Sequence, residues 1–212
     1  MGTYELVDLF AGVGGMDLAA RSLGVRGVGI EWDANPCATR RAAGLATVED
    51  DVRRLSPADF PSARMLVAGP PCQTFAVAGN GAGRSTLQNV LRLVRCMGAR
   101  EDIAASLAGL GDERTGLVLE PLRWALSAVD SGRPYEVIVL EQVPTALPIW
   151  QAVGEALSSE GYSVASGILH AEEFGVPQTR RRAILVARRN GVVTLPPHHP
   201  PAISENSAPR SG

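Results

Sequence analysis

The sequence predicts a single α/β domain built on a largely parallel sheet. Two observations carry that expectation. Short apolar runs alternate with stretches of helical periodicity along the chain. The first of those runs leads through glycines directly into a helical stretch, in DLFAGVGGMDLA at residues 8–19. A length of 212 residues suits one domain that buries a full core without staples.

Residues 4–9 form the first strand, and residues 15–23 the helix after its glycine turn. Residues 25–31 read as a second strand, 36–43 as a second helix and 47–48 as a short third strand. RMLVA at 64–68 is a fourth strand that runs straight into GPPCQTF at 69–75. After the glycine- and alanine-rich AVAGNGAGR comes a helical stretch at 87–97. Leu117, Leu119, Leu122, Ala125 and Leu126 fall at helical spacing within 112–129. VIVL at 137–140 has the all-aliphatic composition of a strand buried on both faces. A helix at 149–159 and strands at 162–169 and 182–187 complete a domain taken as residues 1–194. Residues 195–212 contain PPHHPPAISENSAPRSG, with five prolines and no periodicity, and are expected to form a disordered tail.

Hydrophobic residues make up 45% and charged residues 20%, ordinary values for a soluble globular protein. A net charge of −2 does not indicate a non-specific polyanion binder, so any nucleic-acid contact must come from local clusters of positive charge. All 20 basic residues are arginine, each a planar and permanently charged fork. Cys37, Cys72 and Cys96 lie far apart and form no CxxC pair, so neither a metal site nor a disulfide framework is expected. The N-terminus lacks the basic flank and long apolar run of a signal peptide, and no apolar run is long enough to span a membrane. A cytoplasmic location is expected.

Four segments carry candidate chemistry. In DLFAGVGGMDLA, Gly12 and Gly14 let backbone approach a ligand closely, and the following helix offers free N–H groups. Glu31 ends the next strand, where a carboxylate can accept both hydroxyls of a ribose, and Asp51 in EDDV is placed to bind an adenine amino group. The same pattern also fits a plain strand–turn–helix connection flanked by surface acids. Cys72 follows Pro70 and Pro71 at the end of the fourth strand, where ligands collect in open α/β sheets. The two prolines stiffen its approach, as an oriented thiolate nucleophile requires; a buried cysteine behind a turn is the alternative.

Glu141 follows four aliphatic residues and is either a capping group or a proton handler in a partly desolvated site. In VPQTRRRAILVA, Gln178, Arg180 and Arg182 alternate and share one face of an extended segment. One-sided arginines can grip a phosphate or a carbonyl oxygen, or form a solvated edge cluster.

Taken together, DLFAGVGG, the acid of IEWD, DDV, GPPCQTF, EQV and PQTRRR, in that order, resemble the cytosine-C5 methyltransferases over roughly residues 4–190. The resemblance implies the S-adenosylmethionine-dependent methyltransferase fold, a mostly parallel Rossmann-like sheet with helices on both faces. It implies that Phe10, Gly12 and Gly14 line the cofactor pocket with Val52 and Pro70. It further implies that Glu31 holds the ribose, Trp32 packs by the adenine and Asp51 reads the adenine amino group. Cys72 is implied as the nucleophile that adds to C6 of cytosine. Glu141 is implied to hydrogen-bond N3 and the exocyclic amine, while Arg180 and Arg182 contact the base carbonyl and steady the loop over it. The substrate implied is DNA, with the target cytosine flipped out of the duplex. Gly79, Gly81 and Gly83 are expected to hinge the loop that closes over it.

This chain departs from the family pattern twice. Gln142 stands where the family usually has Asn, at a supporting position expected to tolerate the change. In the family, PQTRRR is followed by a target-recognition region and a last segment that returns to the cofactor pocket, and both are expected to be absent here. The leading expectation is therefore the catalytic portion of a DNA cytosine-C5 methyltransferase, with a second polypeptide supplying recognition. The alternatives are an RNA (tRNA) cytosine-C5 methyltransferase and a non-catalytic, truncated relative that binds S-adenosylmethionine or DNA. The intact set of Cys72, Glu141, Arg180 and Arg182 argues against decay.

Overall fold

The computed structural model describes residues 3–71, 81–109 and 113–197. Strand β1 (Leu6–Leu9) has four consecutive buried residues, as a strand covered on both faces must. Helix α1 (Gly15–Ser22) follows, then β2 (Gly27–Glu31), α2 (Ala34–Ala42) and β3 (Thr47–Glu49). Next come β4 (Met65–Ala68), α3 (Gly81–Gly98), α4 (Ala104–Ala108), α5 (Glu113–Leu117) and α6 (Glu120–Asp130). The described chain ends with β5 (Val137–Gln142), α7 (Leu147–Ser159), β6 (Ser163–His170) and β7 (Arg181–Arg188).

The strands form one seven-stranded sheet in the order β3-β2-β1-β4-β5-β7-β6. All neighbours pair in parallel except β7, which runs antiparallel to β5 and β6. The sheet is mostly parallel, as the sequence predicts. The chain leaves β1 for β2 and β3 on one side and returns to β4 on the other. That reversal opens a crevice at the carboxyl ends of β1 and β4, the place where ligands bind in such sheets. The main core joins buried residues of the sheet, such as Leu66, Ile138 and Leu140, to Leu93 of α3, Trp124 of α6 and Trp150 of α7. Among the described residues, no helix is long and apolar enough to cross a membrane.

Several boundaries differ from the sequence expectation for physical reasons. The helix expected over 112–129 is two helices, because Pro121 lies in the first turn of α6. Proline lacks the N–H that an interior position needs and clashes with the preceding turn, so the helix restarts there. Helix α2 begins before residue 36 because Asp33 caps it, its side chain accepting from Asn35 N–H at 2.9 Å. Helix α3 begins at Gly81, so Gly81 and Gly83 occupy its first turn rather than a hinge loop. Gly79 lies outside the described residues, as does most of the expected tail.

Candidate active site

At the carboxyl ends of β1, β2 and β4 lies an open cleft of about 750 Å3, a volume suited to a small-molecule cofactor. Phe10, Glu31, Trp32, Asp51 and Val52, five of the candidates named from the sequence, line it together with Pro71. Of the glycine turn only Phe10 lines the cleft; Gly12 does not line it and acts through its backbone. The turn enters the left-handed region at Phe10 (φ 59°), Gly12 (φ 52°) and Gly14 (φ 99°). Gly12 tolerates this because it has no Cβ. Its N–H donates to Glu31 Oε2 at 2.9 Å, while the N–H groups of Trp32 and Asp33 donate to Oε1, each at 2.9 Å. Three backbone amides thus fix the Glu31 carboxylate, which can accept about four hydrogen bonds in all. About one acceptor position is left, so the carboxylate is oriented for one hydroxyl entering the cleft rather than for both hydroxyls of a ribose.

Gly14 and Pro70 serve differently. Gly14 caps α1 and faces away from the cleft, where a Cβ would strike the Leu45 side chain. Pro70 is buried, and its neighbour Pro71 lines the cleft. Asp51 caps the short helix Val52–Arg54 and is gripped by Arg53, with Nη2 2.6 Å from Oδ2. The Arg53 hydrogen bond holds its carboxyl below the usual carboxylate range. Val52 is buried, and its carbonyl accepts from Arg123 Nη2 at 2.9 Å and Trp124 Nε1 at 3.3 Å, which ties this wall to α6. Trp32 is 71% exposed at the mouth.

The second cluster lies one strand over. Glu141 Oε1 sits 2.6 Å from Arg182 Nε and 3.2 Å from Arg180 Nη2, so β7 and the segment before it deliver both arginines to one carboxylate. A Cβ on Gly69 would stand 3.6 Å from Glu141 Oε2, so the carboxylate abuts the residue that also lines the cleft. Gln142 is buried beside it, its Nε2 donating to the Pro70 carbonyl at 2.5 Å and its Oε1 accepting from Val143 N–H at 2.6 Å. Cys72 itself lies outside the described residues, two positions beyond Pro70. The other two thiols sit on α2 and α3. Burial pushes the Cys37 thiol up, and the hydrogen bond that the Cys96 thiol donates to Glu101 does the same for Cys96.

The sequence profile of the C-5 cytosine-specific DNA methylase family matches residues 4–95 and 103–210. The chain belongs to that family. Among curated relatives, the type II methyltransferase M.HaeII of Haemophilus aegyptius is 29% identical over 187 residues, covering 88% of this chain and 51% of the relative. The type II methyltransferase M.NlaX of Neisseria lactamica is 31% identical over 191 residues, covering 88% of this chain and 53% of its own length. The chain spans about half the length of the curated relatives it matches. Among solved structures, the S. pombe Dnmt2 methyltransferase superposes with a TM-score of 0.61 at 18% identity, over 90% of this chain and 51% of that one. The Entamoeba histolytica methyltransferase EhMeth gives 0.63 at 14% identity, over 90% and 54%. These two likenesses are of fold.

Several parts of this cleft and its surroundings were not legible in the motifs. Arg114 and Leu117 of α5 reach the cleft from a segment distant in sequence. Behind the glycine turn, Asp8, Asp17 and Arg40 form a buried charged cluster, with Arg40 Nη1 2.8 Å from Asp17 Oδ2. Burial, then the charge and hydrogen bond of Asp17, raise the Asp8 carboxyl well above the usual carboxylate range, with Arg40 pulling the other way. Arg40 had one available signal: it lies three residues after Cys37 and so shares its buried helix face.

Proposed function

We propose that this chain is the catalytic portion, residues 1–194, of an enzyme that transfers a methyl group from S-adenosylmethionine to C5 of cytosine in DNA. A separate polypeptide supplies target recognition. The observation that carries the proposal is Gly69, which lines the cofactor cleft and touches the space of the Glu141 carboxylate. A cofactor in the cleft and a base against Glu141 are therefore neighbours, on either side of the segment that leads to Cys72.

The donor set fits S-adenosylmethionine. Glu31 offers an anchored acceptor for a ribose hydroxyl, Asp51 an acceptor for an adenine amine, and Trp32 an exposed ring for stacking. When bound there, S-adenosylmethionine supplies an electrophilic methyl group on a sulfonium. The Cys72 thiolate adds to C6 of the flipped-out cytosine, forming the Sγ–C6 bond and placing electron density on C5. Glu141 hydrogen-bonds the ring edge as that density develops, and Arg182 and Arg180 hold Glu141 in place. Once C5 carries the methyl group, solvent takes the C5 proton, the freed electron pair re-forms the C5–C6 double bond, and the Sγ–C6 bond breaks with its pair leaving on the thiolate.

The test is radiolabelled methyl transfer to duplex DNA by the purified chain, alone and with a candidate recognition polypeptide, in competition with tRNA. Mass spectrometry of a 5-fluorocytosine oligonucleotide should find an adduct on Cys72. Transfer that survives Cys72→Ala would sink the mechanism, and preference for tRNA would move the substrate to RNA.

A further inference from the structure

The buried arginine behind the glycine turn is used by none of the chemistry above. Arg40 is fully buried, and its guanidinium serves four acceptors on three segments. Nη1 reaches Asp17 Oδ2 of α1 at 2.8 Å and the Ala11 carbonyl of the turn at 3.3 Å. Nη2 donates to the Ala46 carbonyl at 3.1 Å, and Nε donates to Thr47 Oγ1 at 3.0 Å, both at the start of β3. A planar fork is the side chain that can do this from one buried point.

Two glycines clear the space it occupies. A Cβ on Gly29 of β2 would collide with the guanidinium and with Ala11, and one on Gly14 would lie 3.2 Å from Nη1. Residue Ala11 is held on both sides. Its N–H donates to the Ile30 carbonyl at 3.1 Å, and its carbonyl accepts from Gly14 N–H at 3.0 Å as well as from Arg40. That carbonyl shares its peptide unit with Gly12 N–H, which donates to Glu31. Arg40 therefore holds the oxygen of the same peptide whose N–H orients the cofactor-facing carboxylate.

We propose that Arg40 is a positioning residue for cofactor binding: through Ala11 and Asp17 it holds the 10–14 turn in the shape that aligns Gly12 N–H and Glu31. The inference rests on the cleft being the S-adenosylmethionine site. It gives Arg40 a role in affinity that is separable from its share of fold stability. The geometry explains why an arginine can lie on the buried face of α2, and why position 29 lacks a side chain.

The experiment compares the wild-type chain with Arg40→Lys and with the neutral double variant Asp17→Asn/Arg40→Gln. The double variant leaves no unpaired buried charge, and the lysine keeps the charge opposite Asp17 while losing the fork. Melting temperature, S-adenosylhomocysteine affinity by calorimetry and amide exchange at residues 10–14 are measured on each. Both variants should bind the product roughly tenfold more weakly or worse, out of proportion to any change in melting. Exchange at Gly12 and Gly14 should rise by a similar factor while the amides of β4 and β5 stay protected. A folded variant with wild-type affinity and unchanged exchange in the turn would overturn the role of Arg40. If the wild-type chain binds no S-adenosylhomocysteine, the cofactor reading fails, and turn exchange alone decides whether Arg40 holds the turn.

Discussion

The side-chain amide of Gln142 reaches across from the end of β5 to the carbonyl of Pro70, 2.5 Å away. Its own oxygen is occupied by Val143 N–H, so both ends of the amide are satisfied and its orientation is fixed. The contact ties the strand that presents Glu141 to the segment that leads to Cys72. Gln142→Ala leaves a buried carbonyl without its donor, at a cost of about 1–3 kcal/mol in chemical denaturation. Adduct formation with a 5-fluorocytosine oligonucleotide should slow by roughly tenfold or more, about 1.4 kcal/mol in the barrier. An unchanged adduct rate in a folded Gln142→Ala protein would show that the loop needs no support from this amide.

Arg182 should matter far more to turnover than to stability. The Arg182–Glu141 pair is partly solvated, with side chains 27% and 24% exposed, so Arg182→Ala should cost no more than about 1 kcal/mol of stability. Among the described residues, the ion pair that remains without Arg182 is the longer one to Arg180, at 3.2 Å. Misplacing a group that meets the base can cost roughly a hundredfold in rate, so methyl transfer should fall by about that factor. Parallel small losses in stability and rate would instead mark the pair as a surface contact.

Trp32 offers an optical readout of the cleft. The sequence has 3 tryptophans, and Trp124 and Trp150 are fully buried while Trp32 is 71% exposed. Adding S-adenosylhomocysteine should quench or blue-shift the solvent-exposed part of the emission. Trp32→Ala should abolish that change and weaken binding by roughly two- to tenfold, the value of about 0.5–1.5 kcal/mol for an aromatic stacking contact. Quenching that persists without Trp32 would place the ligand elsewhere.

How far the sequence could be read depended on how local the determinant was. The strands β1, β2, β4 and β5 were legible because each is a short aliphatic run covered by its neighbours, and each leads into a motif. Glu141 and Arg182 were legible as candidates from their place at strand ends, but their meeting is set by the antiparallel pairing of β5 with β7, which no motif encodes. The start of α3 was hidden because Gly81 and Gly83 are poor helix formers and read as loop. Adjacent arginines show the limit most sharply. Arg41 is exposed and pairs with Glu49, while Arg40 is fully buried among backbone carbonyls. Composition treats the two alike; only the helix period and the two glycines that make room separate them.

Asp8 makes stability depend on pH in a direction unusual for a carboxylate. It is buried beside Asp17 and Arg40, with Glu31 nearby, and burial raises its folded-state value well above the ordinary range. Below the unfolded value of about 3.9, both states hold the proton and nothing is lost. As pH rises above that value, the unfolded chain releases the proton while the folded chain keeps it. The contribution of Asp8 to stability therefore drains away as pH climbs towards the raised folded value. Asp8→Asn replaces the protonated carboxyl with an amide of similar shape, which can still donate to Asp17 but does not titrate. The variant should melt at or below the wild-type temperature near pH 4 and gain on it steadily towards pH 8, as followed by circular dichroism. Melting curves that stay parallel across that range would mean that the folded state does not hold Asp8 protonated.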